Sequence, residues 1–300
     1  MPLIVQEPFQ YGMSMLLELQ RIVVHRRTAF QEVIIADTEA FGRTLLLDGL
    51  VQSSIADEAL YHELLIHPAL VIHGAPRRVL VGGTGEGASL REILRHPTVE
   101  AVLTVDLDGE VVELCKEHLP EWSAGAFEDP RVESRIGDFL DTLSDAEPGS
   151  FDIIVSDLTD PVEDGPSVHL WSRSYYRQVA RALADDGIFV LQAGELDPLD
   201  LHMARCVRST LLEVFPHVHF VHSYVPSFHC LWAFAVASKR PFDPSPPDLE
   251  DRIARLPDSL RVYTPARHRV AIETPPYLAK MLATPGKVVT SPDEVPSILG

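Results

Sequence analysis

Cysteine is scarce in this 300-residue sequence: Cys115, Cys206 and Cys230 stand far apart, with no CxxC pair among them. A disulfide framework or a zinc knuckle is therefore not expected, and the three read as small buried hydrophobes. Long apolar runs are missing as well. Nothing approaches the roughly 20 consecutive apolar residues that cross a bilayer, and the opening MPLIVQEPFQ has neither the basic nor the apolar region of a secretory signal. These absences predict a cytoplasmic protein that stays out of membranes. Positive charge is the third shortage, with 25 Lys and Arg against 44 Asp and Glu and a formal net charge of −19. Such a field opposes nucleic acid and anionic membranes and steers cationic ligands inward, although solubility alone also accounts for it. No internal repeat is present, so a repeat array is not expected.

What is there suffices for a globular protein, since 46% of the side chains are hydrophobic, enough for one large core or two unequal ones. β-prone runs at 16–25, 30–36 and 44–47, broken by Phe41-Gly42-Arg43 and Asp48-Gly49, predict a small antiparallel β domain over residues 1–56. After a helix predicted at 57–71, short apolar runs alternate with helical stretches. The strands are expected at 78–81, 101–105, 132–136, 153–156, 188–192 and 231–237, with helices at 89–95, 110–117, 174–183 and 201–215. That alternation predicts a doubly wound α/β unit over residues 57–240. A proline-rich joint, Pro241 to Pro247, then opens a tail over 241–300, expected to pack on the sheet.

The turn Gly83-Thr-Gly-Glu-Gly-Ala88 directly follows the first strand of this unit and opens a helix. Gly83 and Gly85 there let a ligand approach the backbone closely; the bland alternative is a tight strand-to-helix turn with nothing bound. Asp106 lies about 20 residues on, at the end of the next strand, where a carboxylate accepts hydrogen bonds from a ribose diol. An adenosine nucleoside and NAD satisfy both features equally. Asp138, in Arg135-Ile-Gly-Asp138, comes at the same sheet edge and reads either as an acceptor for an adenine amino group or as a helix N-cap.

The apolar strand Phe151 to Ser156 runs into two carboxylates, Asp157 and Asp160. They suit a metal, a turn cap, or an ammonium group whose proton must be taken up. The following acids, Glu163 and Asp164, sit with Gly165-Pro166 in a stretch suited to a lid or to a plain surface loop. Upstream, Gln52, Tyr61 and His62 precede the nucleotide sheet and are ordinary when taken alone.

In order along the chain, these pieces resemble the polyamine aminopropyltransferases, the spermidine synthase family. The resemblance covers most of the chain. It rests on Phe30-Gln31-Glu32, Leu47-Asp-Gly-Leu-Val-Gln52, Asp57-Glu58, Tyr61-His62-Glu63, the glycine turn with Leu90-Arg91-Glu92, Asp129-Pro-Arg-Val132, Asp157-Leu-Thr-Asp160-Pro161 and Tyr175-Tyr176. It implies a methyltransferase-like Rossmann sheet behind the small N-terminal antiparallel β domain, assembled as a homodimer or homotetramer. It implies that Gln52, Tyr61, His62, Asp106 and Asp138 bind decarboxylated S-adenosylmethionine as a co-substrate, with Glu86 meeting its aminopropyl ammonium. Asp157 matches the family's catalytic aspartate and Asp160 its anchor for the acceptor amine, with Gln192 nearby. No metal and no permanently bound cofactor are implied.

Two departures concern the acceptor. Family members that use putrescine resemble one another in an aspartate within the glycine turn and a tyrosine before a late Pro-Ser, whereas this chain has Glu86 and Val225. Glu86, Gln192-Ala-Gly194 and Val225-Pro-Ser-Phe228 look more like thermospermine and aminopropylagmatine synthases. A valine there is expected to widen the acceptor pocket, leaving spermidine, agmatine and putrescine as acceptors in that order. The rivals are a methyltransferase using S-adenosylmethionine and a polyamine-binding protein without turnover. Against the first, Glu86 would repel the extra carboxylate of that cofactor.

Overall fold

Period-two and period-3.6 patterning resolve into two sheets in the computed structural model, which describes residues 3–8, 13–161, 167–199 and 201–295. The first sheet is wholly antiparallel. Its strands β1 (Leu3–Pro8), β2 (Ser14–Arg27), β3 (Glu32–Thr38), β4 (Gly42–Leu47) and β5 (Leu50–Ser54) lie side by side in sequence order. Asp48 and Gly49 both take positive φ, 48° and 81°, between the paired residues Leu47 and Leu50. This is the two-residue hairpin turn that an Asp-Gly pair favours, and it brings β5 with Gln52 back along β4.

The second sheet has seven strands in the order β11-β12-β10-β9-β6-β7-β8. The parallel portion comprises β6 (Arg78–Gly82), β7 (Ala101–Asp106), β8 (Val132–Ile136), β9 (Phe151–Ser156) and β10 (Leu183–Glu195); β11 (His217–Val225) and β12 (Cys230–Ser238) complete it as an antiparallel pair. The chain order reverses at β6, which lies between β7 and β9. Ligands bind beyond the carboxyl ends of strands at such a reversal.

Helices cover both faces. They are α1 (Glu58–His73), α2 (Ala88–Leu94), α3 (Gly109–His118), α4 (Pro120–Ser123), α5 (Phe139–Asp145), α6 (Arg173–Ala182), α7 (His202–Leu212), α8 (Leu249–Ile253), α9 (Pro265–Ile272) and α10 (Pro276–Leu282). One apolar layer gathers Leu80, Ile154, Tyr175, Tyr176, Phe189 and Phe215; the opposite layer gathers Leu64, Leu65, Val79, Val81, Ile153 and Phe234. Each alternate residue of the central strands enters one layer or the other, as strand geometry requires. The helices α8 to α10 of the tail contribute Leu249, Ile253, Ala271, Leu278 and Leu282 to these layers.

One face of the small sheet is sealed by the large unit. Val33, Ile35, Leu45 and Leu47 pack with Ala88, Val111, Cys115 and Trp122 of α2 to α4 in one buried cluster. The Trp122 indole donates to Ser53 Oγ at 2.7 Å, and Arg43 donates to the His118 carbonyl at 2.8 Å. These contacts fix β5 over the end of the parallel strands.

Several elements differ from the sequence expectations. Strands β1, β5 and β11 were not among the expected elements. β11 carries His217, His219 and His222, which mask its apolar alternation. The helix expected at 174–183 yields its last residue to β10, because Leu183 pairs with Phe151 in the sheet. The acids Glu163 and Asp164, with Gly165-Pro166, lie outside the described residues.

Candidate active site

A cavity of about 250 Å³ lies beyond the carboxyl ends of β6, β7, β9 and β10. At one end the backbone makes the wall. Gly83 has φ 84°, and a Cβ at that position would lie 2.0 Å from the Asp157 carbonyl oxygen, so only glycine permits the crossing of turn and strand end. The Asp106 carboxylate holds this turn: its Oδ2 accepts from the amides of Thr84 at 2.8 Å and Gly85 at 2.9 Å, and its Oδ1 accepts from Asp108 at 2.9 Å. Burial pushes the Asp106 pKa up more strongly than those amides pull it down. Any ligand donor reaching this carboxylate has only the lone-pair positions the three amides leave open.

Asp138 lines the same end and also caps α5, accepting from the Leu140 amide at 2.8 Å. The cap explains one carboxylate oxygen and leaves the other for the cavity. Gln31 and Gln52 line the cavity from the small sheet. Asp108, the N-cap of α3, accepts from Thr28 Oγ1 at 2.6 Å and Gln31 Nε2 at 3.2 Å, which ties that sheet to this end of the cavity.

The middle of the cavity is a carboxylate pair around one imidazole. His62 Nε2 stands 3.3 Å from Glu86 Oε1 and 4.0 Å from Asp157 Oδ2, while Nδ1 lies 2.8 Å from the Glu58 carbonyl. Burial raises the Glu86 pKa, but the His62 hydrogen bond and charge, with smaller help from a backbone amide and Ser53, outweigh it and leave the group below the usual carboxylate value. Asp157 goes the other way. Burial raises it and Glu86 adds repulsion, exceeding the lowering by His62, by Ser89 Oγ at 2.5 Å and by the Tyr61 hydroxyl at 2.9 Å. Two carboxylates thus differ in basicity within one site, the pattern that separates a charge-holding group from a proton acceptor.

Tyr61 is aimed by aromatic packing, with its ring edge-on to Phe234 at 5.0 Å and to Phe228 at 5.8 Å. Asp57 sets the Phe228 turn by accepting from the Ser227 amide at 2.6 Å and the Ser227 hydroxyl at 3.1 Å. Beyond Asp157 lies Asp160, whose Oδ1 accepts from Gln192 Nε2 at 2.8 Å; burial pushes its pKa up to about 6 against that bond.

The cavity brings together Gln52, Tyr61, His62, Gly83, Gly85 and Glu86 with Asp106, Asp138, Asp157, Asp160 and Gln192. Val225 is the correction. It is 1% exposed and packs in the core with Val221, four residues earlier on the same strand face, so it does not line the cavity. From that region the walls are Phe228 and Trp232. Glu7, Ser89, Glu195 and Trp232 were missed by sequence reasoning, and only strand pairing brings Glu7 and Trp232 here. Gln31 and Phe228 carried a signal, since both stand in quoted family fragments. Among the described residues no group of three His, Cys, Asp or Glu side chains is arranged to hold a metal ion, and no helix is long and apolar enough to cross a membrane.

Comparison with known proteins gives a consistent result. Residues 58–244 match the family described as "Spermine/spermidine synthase domain", and residues 6–54 match "Spermidine synthase tetramerisation domain". A polyamine aminopropyltransferase of Synechococcus sp. (strain JA-2-3B'a(2-13)) is 48% identical over 238 residues, 78% of this chain and 76% of that protein. One from Aeropyrum pernix is 43% identical over 234 residues, covering 78% and 73%. Among solved structures, a spermidine synthase in complex with the transition-state analogue AdoDATO superposes with a TM-score of 0.87 at 26% identity, covering 94% of this chain and 97% of the other. The spermidine synthase of Thermotoga maritima gives 0.85 at 26% identity, covering 94% and 96%.

Proposed function

Because the chain belongs to the spermine/spermidine synthase family, we propose that Asp157 is the group that takes the proton of an amine attacking decarboxylated S-adenosylmethionine in this cavity. The chain is a polyamine aminopropyltransferase. In this reaction the acceptor nitrogen attacks the propyl carbon attached to sulfur. A carbon–nitrogen bond forms, the carbon–sulfur bond breaks, and its electron pair returns to sulfur, releasing neutral methylthioadenosine. The protein's task is to align the two substrates and remove one proton.

The observation that carries the assignment is the setting of Asp157, with its carboxylate fixed by Tyr61 and Ser89 and its pKa raised by burial. A carboxylate fixed in that way and made more basic is suited to hold an ammonium ion and accept its proton. Glu86, kept ionised by His62, suits the aminopropyl ammonium. Asp106 suits the ribose, Asp138 and the turn at Gly83 and Gly85 the adenine side, and Gln52 and Tyr61 the junction of the two substrates. Asp160, positioned by Gln192, suits a second ammonium of the acceptor.

The acceptor is a polyamine or related amine, with spermidine, agmatine and putrescine the candidates in that order. The match of residues 6–54 to a tetramerisation domain supports assembly of several copies, as a homodimer or homotetramer. A cytoplasmic location suits a biosynthetic enzyme of this kind. Incubation with decarboxylated S-adenosylmethionine and each of putrescine, agmatine, spermidine, cadaverine and spermine, with methylthioadenosine and polyamine products quantified by mass spectrometry, tests the reading. Methylthioadenosine with at least one amine is expected. Its absence with all five would return the polyamine-binding alternative.

A further inference from the structure

Asp57 occupies the N-cap position of α1, where an aspartate ordinarily accepts a hydrogen bond from the second or third amide of its own helix. Asp108 and Asp138 do so ahead of α3 and α5. Asp57 makes no such bond, and its two oxygens turn away from α1. Oδ2 accepts from the Ser227 amide at 2.6 Å, while Oδ1 accepts from the Ser227 hydroxyl at 3.1 Å and the Ser54 hydroxyl at 2.6 Å. Helix capping therefore does not account for this buried carboxylate, which ties the end of β5 to a residue 170 positions away.

The residue it holds belongs to the turn Pro226-Ser227-Phe228-His229 between β11 and β12. The His229 amide closes this turn on the Pro226 carbonyl at 3.1 Å, with φ 54°, a left-handed conformation that a residue with a side chain keeps only where its surroundings impose it. Seating Ser227 seats Phe228 next to it, whose ring lies edge-on to Trp232 at 4.9 Å and to Tyr61 at 5.8 Å. Phe228 and Phe234 thus both pack on the Tyr61 ring, and its hydroxyl reaches Asp157 Oδ1 at 2.9 Å. Ser89 of α2, His62 of α1 and Glu86 of the glycine turn also face Asp157, each from its own element, and Asp160 and Glu86 add their charge at Tyr61.

We propose that Asp57 is a positioning residue for the proton transfer: by seating the 226–229 turn it holds Phe228 against Tyr61, and so keeps the Tyr61 hydroxyl on Asp157. The proposal rests on the reading of Asp157 as the proton acceptor. It also makes the small sheet part of the catalytic setting, because Ser54, the last residue of β5, shares the Asp57 carboxylate with the turn.

The test compares Asp57→Ala with Asp57→Asn, which keeps an acceptor for the Ser227 amide and offers the two serine hydroxyls an NH2 group they can accept. Asp57→Ala is expected to lower kcat about tenfold and to move the acidic limb of the kcat profile to higher pH, because the Tyr61 bond it loosens lowers the Asp157 pKa. Asp57→Asn should restore most of both. In a Tyr61→Phe background, where that bond is already gone, Asp57→Ala should cost less than about twofold. A further tenfold loss in that background, or a limb that stays in place, overturns the proposal. Phe228→Leu removes the ring and leaves the Asp57 bonds; it should move the limb in the same direction should Asp57→Ala fail to fold, and an unmoved limb there counts equally against the proposal. The carboxyl carbon-13 resonance of Asp157, identified by its loss in Asp157→Asn, reads the link without turnover: its titration midpoint is expected to rise by about half a pH unit or more in Asp57→Ala, and an unchanged midpoint removes the role. Absence of turnover with every amine would end the proton-acceptor reading and leave this titration to decide whether Asp57 places Tyr61 on Asp157.

Discussion

The Tyr61 hydroxyl donates to Asp157 Oδ1 at 2.9 Å, joining residues 96 positions apart in the chain. The bond lowers the pKa of Asp157, although burial still leaves the group above its ordinary value. Replacing Tyr61 by Phe removes that lowering, so the acidic limb of the kcat profile should move to higher pH, with kcat down about tenfold. Asp157→Asn should be more severe, lowering kcat by about 10² to 10⁴ while affinity for decarboxylated S-adenosylmethionine changes little. Single-turnover rates with a dialysis measurement of co-substrate binding separate the two effects. Equal turnover in Asp157→Asn would remove its proton-accepting role.

Asp106 should act on binding instead. Its carboxylate receives the amides of Thr84, Gly85 and Asp108. Asn keeps one acceptor oxygen and puts an NH2 group where amides already point, so the turn must shift. Asp106→Asn is expected to weaken methylthioadenosine binding by about 10²-fold, read by isothermal calorimetry, with a smaller effect on acceptor binding.

Acid stability should depend on Glu92. This fully buried carboxylate meets His67 Nε2 at 3.0 Å, Arg91 Nε at 2.6 Å and Arg95 Nε at 2.8 Å. Burial raises its pKa, but His67 and Arg91 outweigh burial and bring it to about 2. A carboxylate whose folded-state pKa lies below its unfolded value stabilises the protein above the unfolded value, near 4.5, and loses that contribution as pH falls towards 2. The depression corresponds to about 3 kcal/mol. Glu92→Gln should be less stable than wild type by about 3–5 kcal/mol at pH 7, and the gap should narrow on acidification. Urea unfolding at pH 7 and pH 3 measures it, and a constant gap would contradict the argument. Glu7 works in the opposite sense, because its pKa is raised to about 7: its contribution is complete below pH 4.5 and lost as pH rises through 7.

Glu63 should hold the tail. Its carboxylate accepts from the consecutive amides of Arg261 at 2.8 Å, Val262 at 2.9 Å and Tyr263 at 2.7 Å, and Arg261 reaches back to Glu58, on the same helix as His62. Glu63→Ala leaves three amides without their acceptor, a loss of about 2–4 kcal/mol. Limited proteolysis should then cut near residues 255–265 at protease levels that spare wild type.

Much of the site was legible because its signals are local. A glycine turn after a strand, Asp106 at the next strand end and the Asp157-Leu-Thr-Asp160 stretch depend on neighbours in sequence, and the parallel order of β6, β7 and β9 carries them to one edge. Glu7 and Trp232 were not legible. Their places follow from the β1–β2 and β10–β12 registers, which no short window encodes. Val225 failed for a related reason: the strand alternation that turns Tyr224 outward, at 53% exposed, turns Val225 into the core with Val221. The family fragment gave the position without the direction of the side chain. The histidines of β11 hid a strand whose polar tips bond tail carbonyls, His219 to Ile272 and His222 to Glu273.

The buried cluster in which Val33, Ile35, Leu45 and Leu47 meet Ala88, Val111, Cys115 and Trp122 also limits how the two sheets can be exchanged. A chimaera grafting another protein's first 56 residues onto this catalytic unit must match the shape of that seam, or Trp122 loses both its cover and Ser53, its hydrogen-bond acceptor. Since Gln31 and Gln52 ride on the grafted piece, a mismatch at the seam would also displace two walls of the cavity. The two sheets are therefore inherited as one unit: a donor for either must bring its half of the seam.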